Sequence, residues 1–222
     1  WTYGNTGELK GVPIGKDAYG DRLDKDGWGL LEVPKLTIYG GIIFGNWDGG
    51  AESLDDFLGE LRWYLDVMIE RQIGGMEFVP GMQRYLLNAN WKIASENFAG
   101  DTYHLGYSHG SMFKLDIRQL NPGNPNFGNK ENAYFNIGLE NGHGLTGIVF
   151  GGERYAIDRK LAEDYGPEVV EYVEECQQRL LKAFPKHQAG MYAPSFSNMF
   201  PNLSFNDFSA LRPIGFYLWL PK

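Results

Sequence analysis

The hydrophobic positions along the chain recur with two different periods, and the changeover divides it into elements. Residues 1 to 47 read as β. Trp1-Thr2-Tyr3 runs into the turn signal Gly4-Asn5-Thr6-Gly7. Leu36-Thr37-Ile38-Tyr39 and Ile42-Ile43-Phe44 are short β-branched and aromatic runs on either side of Gly40-Gly41, which predicts strands separated by a bulge or tight turn. Trp47-Asp48-Gly49-Gly50 marks a boundary. Beyond it the period lengthens. Leu54, Phe57, Leu58, Leu61, Tyr64, Leu65 and Met68 form a helical stripe, with Ser53 as N-cap and Asp55 and Asp56 in the first turn. Gly74-Gly75 is the expected end of that helix.

Residues 76 to 88 predict a strand or two around Pro80-Gly81, and residues 90 to 107 a helix. Residues 121 to 132 are rich in Asn, Pro and Gly and predict a loop. Strands are expected over 133 to 150, broken by Asn141-Gly142-His143-Gly144. Pro167 suits the first turn of another helix, whose buried stripe would be Val169, Val173, Cys176, Leu180 and Phe184. Glu168, Glu171, Glu174 and Glu175 would form its solvated face. Residues 191 to 220 are strand-like.

Composition narrows the function classes. The chain has 222 residues, enough for one large domain or a domain plus a fragment. Its net charge of -8 argues against a nucleic-acid partner, which needs clustered Lys and Arg, and suits a cytoplasmic enzyme. No apolar run reaches the ~20 residues of a membrane helix. The single cysteine, Cys176, excludes an internal disulfide, a thiolate-held iron–sulfur cluster and a thiolate zinc site within this chain. It falls in the helical stripe and reads as inert core. Aromatics make up 15%, which fits either ordinary core or the lining of an apolar cavity. The start at Trp1 predicts a fragment of a longer polypeptide.

The candidate chemistry lies between Asn90 and His109. On one continuous helix Asn97, Asp101 and His104 fall at i, i+4 and i+7, on a single face. Polar groups stacked in this way are costly to bury without partners. Gly106 predicts a helix end that lets His109 curl back towards His104. Two converging imidazoles suit a borderline divalent metal, and two histidines with one carboxylate are the ligand set of non-haem Fe(II) oxygenases. Asp101 would orient a histidine from outside the metal. Asn97 would supply a weak contact nearby. The plainer readings are two surface or core histidines and a helix-face carboxylate.

Glu96-Asn97-x-x-Asp101-x-Tyr103-His104-x4-His109, preceded by Asn90-Trp91-Lys92, resembles the iron-site signature of the α subunit of Rieske aromatic ring-hydroxylating dioxygenases, especially the naphthalene and polycyclic-aromatic type. Trp1-Thr2-Tyr3 with Gly7 resembles the segment after the second Cys-x-x-His pair of a Rieske domain. Asn141-Gly142-His143-Gly144 resembles a substrate-pocket segment, and Phe200-Pro201-Asn202-Leu203-Ser204 a core strand of the catalytic domain. The resemblance implies His104 and His109 as ligands of a mononuclear Fe(II). Asp101 would be the bridge for electrons from a neighbouring subunit's [2Fe–2S] Rieske cluster, and Asn97 a residue near the iron. Phe98, Leu105 and His143 would line the substrate pocket. It implies an aromatic hydrocarbon and dioxygen as substrates, a cis-dihydrodiol as product, ferredoxin and reductase as donors, and an α trimer that in some relatives carries β subunits.

The resemblance also implies what this chain lacks. The cluster's cysteine and histidine motifs are absent, and the third iron ligand would be an aspartate beyond Lys222. Asp158 and Asp164 read as surface charges and Asp207 as a strand-edge or turn residue. This stretch alone is therefore expected to be inactive. The expected fold is α+β: residues 1–47 as the end of a β-rich Rieske domain, and residues 48–222 as a helix-grip-like catalytic domain with an antiparallel sheet and covering helices, truncated at its C-terminus. Three alternatives stay open. They are a Rieske-type monooxygenase or demethylase, a zinc-dependent hydrolase using His104 and His109 with Asp101 as base, and a non-enzymatic module binding an apolar ligand. The missing His-Glu-x-x-His pattern counts against the hydrolase.

Overall fold

A computed structural model describes residues 1–101, 104–109, 133–149, 154–190, 196–207 and 210–221. The loop expected over 121–132 lies outside the described residues. The chain divides into two compact units, Trp1–Leu54 and Asp55–Lys222.

The first unit holds two small antiparallel sheets. β1 (Thr2–Tyr3) pairs with β2 (Leu9–Gly11), and β3 (Lys35–Tyr39) with β4 (Ile42–Asn46). The β3–β4 register runs from Lys35↔Asn46 to Tyr39↔Ile42, so two residues remain for the turn. Both, Gly40 and Gly41, have positive φ (57° and 81°), the backbone a two-residue hairpin requires. A short helix, α1 (Gly15–Tyr19), interrupts what the sequence suggested was continuous β structure. Trp1 packs edge-on against Trp28 and Tyr19.

In the second unit the expected helix over 54–68 is two helices, α2 (Leu54–Leu58) and α3 (Leu61–Glu70). Gly59, at φ 46°, breaks the run, and its amide donates to Asp55 O. The stripe itself is buried as its spacing predicts: Leu58, Leu61, Leu65 and Met68 are all inaccessible. The helix stops at Glu70, before Gly74-Gly75. Residues 76–88, expected to be strands, have no regular structure. Their apolar residues are exposed and, among the described residues, pair with no neighbouring strand, and Pro80 removes a donor. Phe78 rests on Phe216 instead, ring to ring at 5.5 Å.

α4 (Trp91–Gly100) is followed by a single turn, α5 (Leu105–Ser108). Five antiparallel strands come next, in the spatial order of the sequence: β5 (Ala133–Gly138), β6 (Gly144–Val149), β7 (Phe196–Met199), β8 (Leu203–Asn206) and β9 (Gly215–Leu218). Between β6 and β7 lie α6 (Arg154–Glu163), α7 (Pro167–Ala183) and α8 (Lys186–Ala189). Pro167 opens α7, and Val173, Cys176 and Leu180 form its buried stripe, with Val169 and Phe184 half-buried. The resulting architecture is α+β around an antiparallel sheet. Phe200-Pro201-Asn202, matched in sequence to a core strand, is instead the turn between β7 and β8; only Leu203 and Ser204 of that motif lie in a strand.

One carboxylate departs from expectation, and a second lies at a strand end as expected but is buried. Asp158, read as a surface charge, is buried in α6 and its Oδ2 accepts from Ala210 N at 3.3 Å. Asp207, just past β8, is fully buried and pairs with Arg71 at the end of α3, at 2.6 Å. Burial alone would push the Arg71 guanidinium down, but the Asp207 carboxylate holds it above its ordinary value, and Asp158 adds to that field. Asp164 is exposed, as expected.

Candidate metal centre

α4 carries the first half of the candidate site. Asn90 caps it, its Oδ1 accepting from Lys92 N at 3.0 Å. The helix lies across one face of the sheet, against β5 to β8. Three contacts fix it there. Ser95 Oγ donates to Pro201 O at 3.2 Å. Phe98 sits among Phe196, Tyr217 and Trp219, with ring centroids 5.4, 4.9 and 5.8 Å away. Ala99 meets Gly144 at the start of β6. Trp219 is itself tethered: its Nε1 donates to Ser204 Oγ, which donates to Asn198 Oδ1, both at 2.8 Å.

The helix does not run through to residue 107. At Asp101 the backbone turns extended (φ -114°, ψ 90°). Asn97, in the last turn of α4, Asp101, just past its end, and His104, before α5, are therefore not on one helical face. Asp101 is the residue just past α4, and its Oδ1 accepts from His104 N at 3.4 Å. His104 precedes α5 and His109 follows it. α5 lies between the two histidines, and their rings meet across it. His104 Nε2 and His109 Nε2 are 3.2 Å apart, with the rings tilted by 58°. On the far side of the His104 ring, Nδ1 lies 3.0 Å from Asp101 Oδ2. That approach is close enough for an ion pair but off the line of a hydrogen bond, and Nδ1 has no hydrogen-bond partner among the described residues.

This donor set fits a divalent metal. At a metal–nitrogen distance of about 2.1 Å, nitrogens 3.2 Å apart subtend roughly 100° at a shared ion, within the range of tetrahedral and octahedral sites. Neutral imidazoles binding through Nε2 must carry their proton on Nδ1, and the Asp101 carboxylate stands 3.0 Å from that nitrogen of His104. Among the described residues no group of three or more His, Cys, Asp or Glu side chains converges. His104 and His109 stand as a pair.

The remaining candidates fall in different places. Asn97 is half-buried in the last turn of α4, one residue before Phe98. Leu105 begins α5. His143 is buried away from the two histidines' nitrogens. Its Nε2 bonds Phe57 O at 2.7 Å, and its Nδ1 accepts from Phe200 N at 2.9 Å. Both ring nitrogens are used, so the ring is the Nε2–H tautomer and ties α2 to the β7–β8 turn. Sequence reading did not find Gly144, Ser204 or Trp219, whose roles arise from residues distant in the chain.

The ring-hydroxylating alpha subunit catalytic domain model matches residues 54–221. The chain belongs to that family. It is 33% identical over its whole length to the large oxygenase component of a naphthalene 1,2-dioxygenase system from Pseudomonas aeruginosa, covering 47% of that protein. It is 33% identical over 92% of its length to the large oxygenase component of a 2,4-dinitrotoluene dioxygenase system from a Burkholderia species, covering 45% of it. The crystal structure of naphthalene 1,2-dioxygenase from a Rhodococcus species bound to indole superimposes on the whole chain, with a TM-score of 0.71 and 37% identity, over 49% of that protein. The chain spans about half the length of the relatives it matches. The family match begins at Leu54, the last residue of the first compact unit.

Proposed function

We propose that this chain is part of the large subunit of a terminal oxygenase that adds both atoms of dioxygen to neighbouring carbons of an aromatic ring, giving a cis-dihydrodiol. The observation that carries the reading is the 3.2 Å approach of His104 Nε2 to His109 Nε2 with Asp101 behind His104, in a chain of the ring-hydroxylating family. His104 and His109 would hold a mononuclear Fe(II), with a third carboxylate from sequence outside this chain. When bound, the metal supplies open coordination positions at which dioxygen can be activated.

The chain's own residues do the rest. Asp101 sets a negative charge 3.0 Å from His104 Nδ1, which favours the proton on that nitrogen and leaves Nε2 free to ligate. Its carboxylate is about 39% exposed, so it connects His104 to the surface on which an electron donor would seat. In this reading the donor is a [2Fe–2S] Rieske cluster of a neighbouring subunit, fed by a ferredoxin and reductase. Residues 1–47 are the end of the Rieske domain, and α4 on the sheet is the core of a helix-grip-like domain. Phe98, with Leu105, offers an apolar wall that orients a flat hydrocarbon and excludes water. Asn97 stands beside it. The assembly would be an α trimer, with or without β subunits. Among the described residues no helix is long and apolar enough to cross a membrane.

The test uses the complete reading frame, expressed with iron and assayed on naphthalene. cis-Dihydrodiol formation is expected, and it should be lost in His104→Ala and His109→Ala. Asp101→Asn should keep iron but slow single-turnover oxidation of the cluster. Full turnover in either histidine variant would refute the ligand assignment. Bound zinc in place of iron would favour the hydrolase.

A further inference from the structure

The segment Asn141–Gly144 is a junction that no functional role yet accounts for. Asn141 adopts left-handed backbone (φ 56°), and its Nδ2 donates to the last carbonyls of α2, Asp56 O at 3.0 Å and Phe57 O at 2.9 Å. His143 ties Phe57 to Phe200. Gly144 then enters the sheet, paired with Gly138 on one side and Asn198 on the other.

At Gly144 the strand meets the candidate site. A Cβ placed there would lie 2.7 Å from Ala99 Cβ, 2.9 Å from Ala99 O and 3.2 Å from Ala99 Cα. Two of these three atoms are backbone, so no side-chain rotation relieves the overlap. The helix itself would have to retreat, by about 0.7 Å to reach ordinary van der Waals contact. Ala99 is in the last turn of α4, two residues before Asp101.

We propose that Gly144 is a positioning residue: by having no side chain it seats the last turn of α4 on β6 and so sets where Asp101 stands relative to His104. The functional half of this inference rests on the metal-centre reading. The geometric half does not. Outer-shell groups that orient a metal-binding histidine typically account for 10–100-fold in metal affinity, and the Asp101–His104 approach of 3.0 Å leaves little slack. Gly147 is an internal control. It lies on the same strand with its Cβ position directed at the side chain of Phe135, so a methyl there also crowds its surroundings, with Phe135 and not α4 as its nearest neighbour.

The experiment compares Gly144→Ala, Gly147→Ala and, from the helix side of the same contact, Ala99→Val, in the polypeptide made from the complete reading frame. Hydrogen exchange of the amides of residues 97–101 is read by mass spectrometry alongside the melting temperature. Gly144→Ala and Ala99→Val should exchange there at least about tenfold faster than Gly147→Ala at matched stability. Fe(II) affinity should fall about 10–100-fold in the first two and stay within about twofold in Gly147→Ala. Adding Ala99→Gly to Gly144→Ala should restore part of both. Equal exchange in Gly144→Ala and Gly147→Ala overturns the proposal, as does equal loss of Fe(II) affinity. Should Gly144→Ala not fold, Ala99→Val decides by the same comparison. If the unsubstituted protein binds no Fe(II), the metal-centre reading fails and the exchange comparison alone decides the seat.

Discussion

Arg71→Met should be among the most damaging single changes outside the candidate site. Arg71 closes α3 and pairs with Asp207 at 2.6 Å. Both are buried, Asp207 completely, and Asp158 is buried close enough to add to the field at Arg71. Methionine fills most of the volume but leaves Asp207 as an uncompensated buried carboxylate. Breaking a buried pair from one side costs about 3–5 kcal/mol. For a domain of this size each kcal/mol lowers Tm by roughly 2–4 °C, so the expected loss is about 6–20 °C. Replacing both partners should cost far less, because an apolar pair of similar volume needs no charge desolvated. Urea unfolding of wild type, Arg71→Met, Asp207→Leu and the double variant closes the cycle. A loss below about 1 kcal/mol in Arg71→Met, or a double variant no more stable than either single one, would refute the reasoning.

Two further outcomes follow from local geometry. His143→Phe keeps the ring but strands Phe200 N and removes one of the two donors to Phe57 O, which Asn141 Nδ2 still bonds at 2.9 Å. Destabilisation of about 1–3 kcal/mol is expected in chemical denaturation, and a loss under about 0.5 kcal/mol would show that water replaces the bond to Phe200 N. In the first unit, Lys10 at 2.7 Å and Thr6 at 2.5 Å hold the Glu8 carboxylate down to about 2. A lowered folded-state value means that the contribution to stability is present above the ordinary carboxylate range and lost as pH falls towards 2. NMR titration of the Glu8 side chain should give a midpoint near 2, and Lys10→Ala should return it towards the ordinary range. An unchanged midpoint in that variant would remove Lys10 as the cause.

What could be read from sequence was what depends on neighbours in the chain. The stripe Val173, Cys176, Leu180 is a property of one helix, and Gly40-Gly41 between two β-branched runs is a property of one hairpin. The pairing of His104 with His109 is equally local, though the motif suggested a continuous helix and the structure breaks it at Asp101. Period alone does not reveal one left-handed residue, so α2 and α3 read as a single element across Gly59. Residues 76–88 have strand-like composition, but a strand requires a partner, and pairing is invisible to composition. Asp158 read as a surface charge, and the burial of Asp207 went unseen because the group that pays for it is Arg71, 136 residues away. The seat of Ala99 on Gly144 is hidden for the same reason.

The order of elements along the chain also has a consequence for synthesis on the ribosome. Both histidines and α4 are made before any strand of the five-stranded sheet. The floor on which α4 rests is completed only by Trp219, which packs on Phe98. At about 5–20 residues per second, the stretch from His109 to Trp219 takes roughly 5–20 s to emerge. During that interval the histidine pair is present without the surface that holds its helix. With His104 and His109 as the proposed iron ligands, loading with Fe(II) is therefore expected to follow emergence of Trp219. Arrested nascent chains ending before and after residue 219 should bind the ion with different affinities, and equal binding would show that the local turn alone suffices.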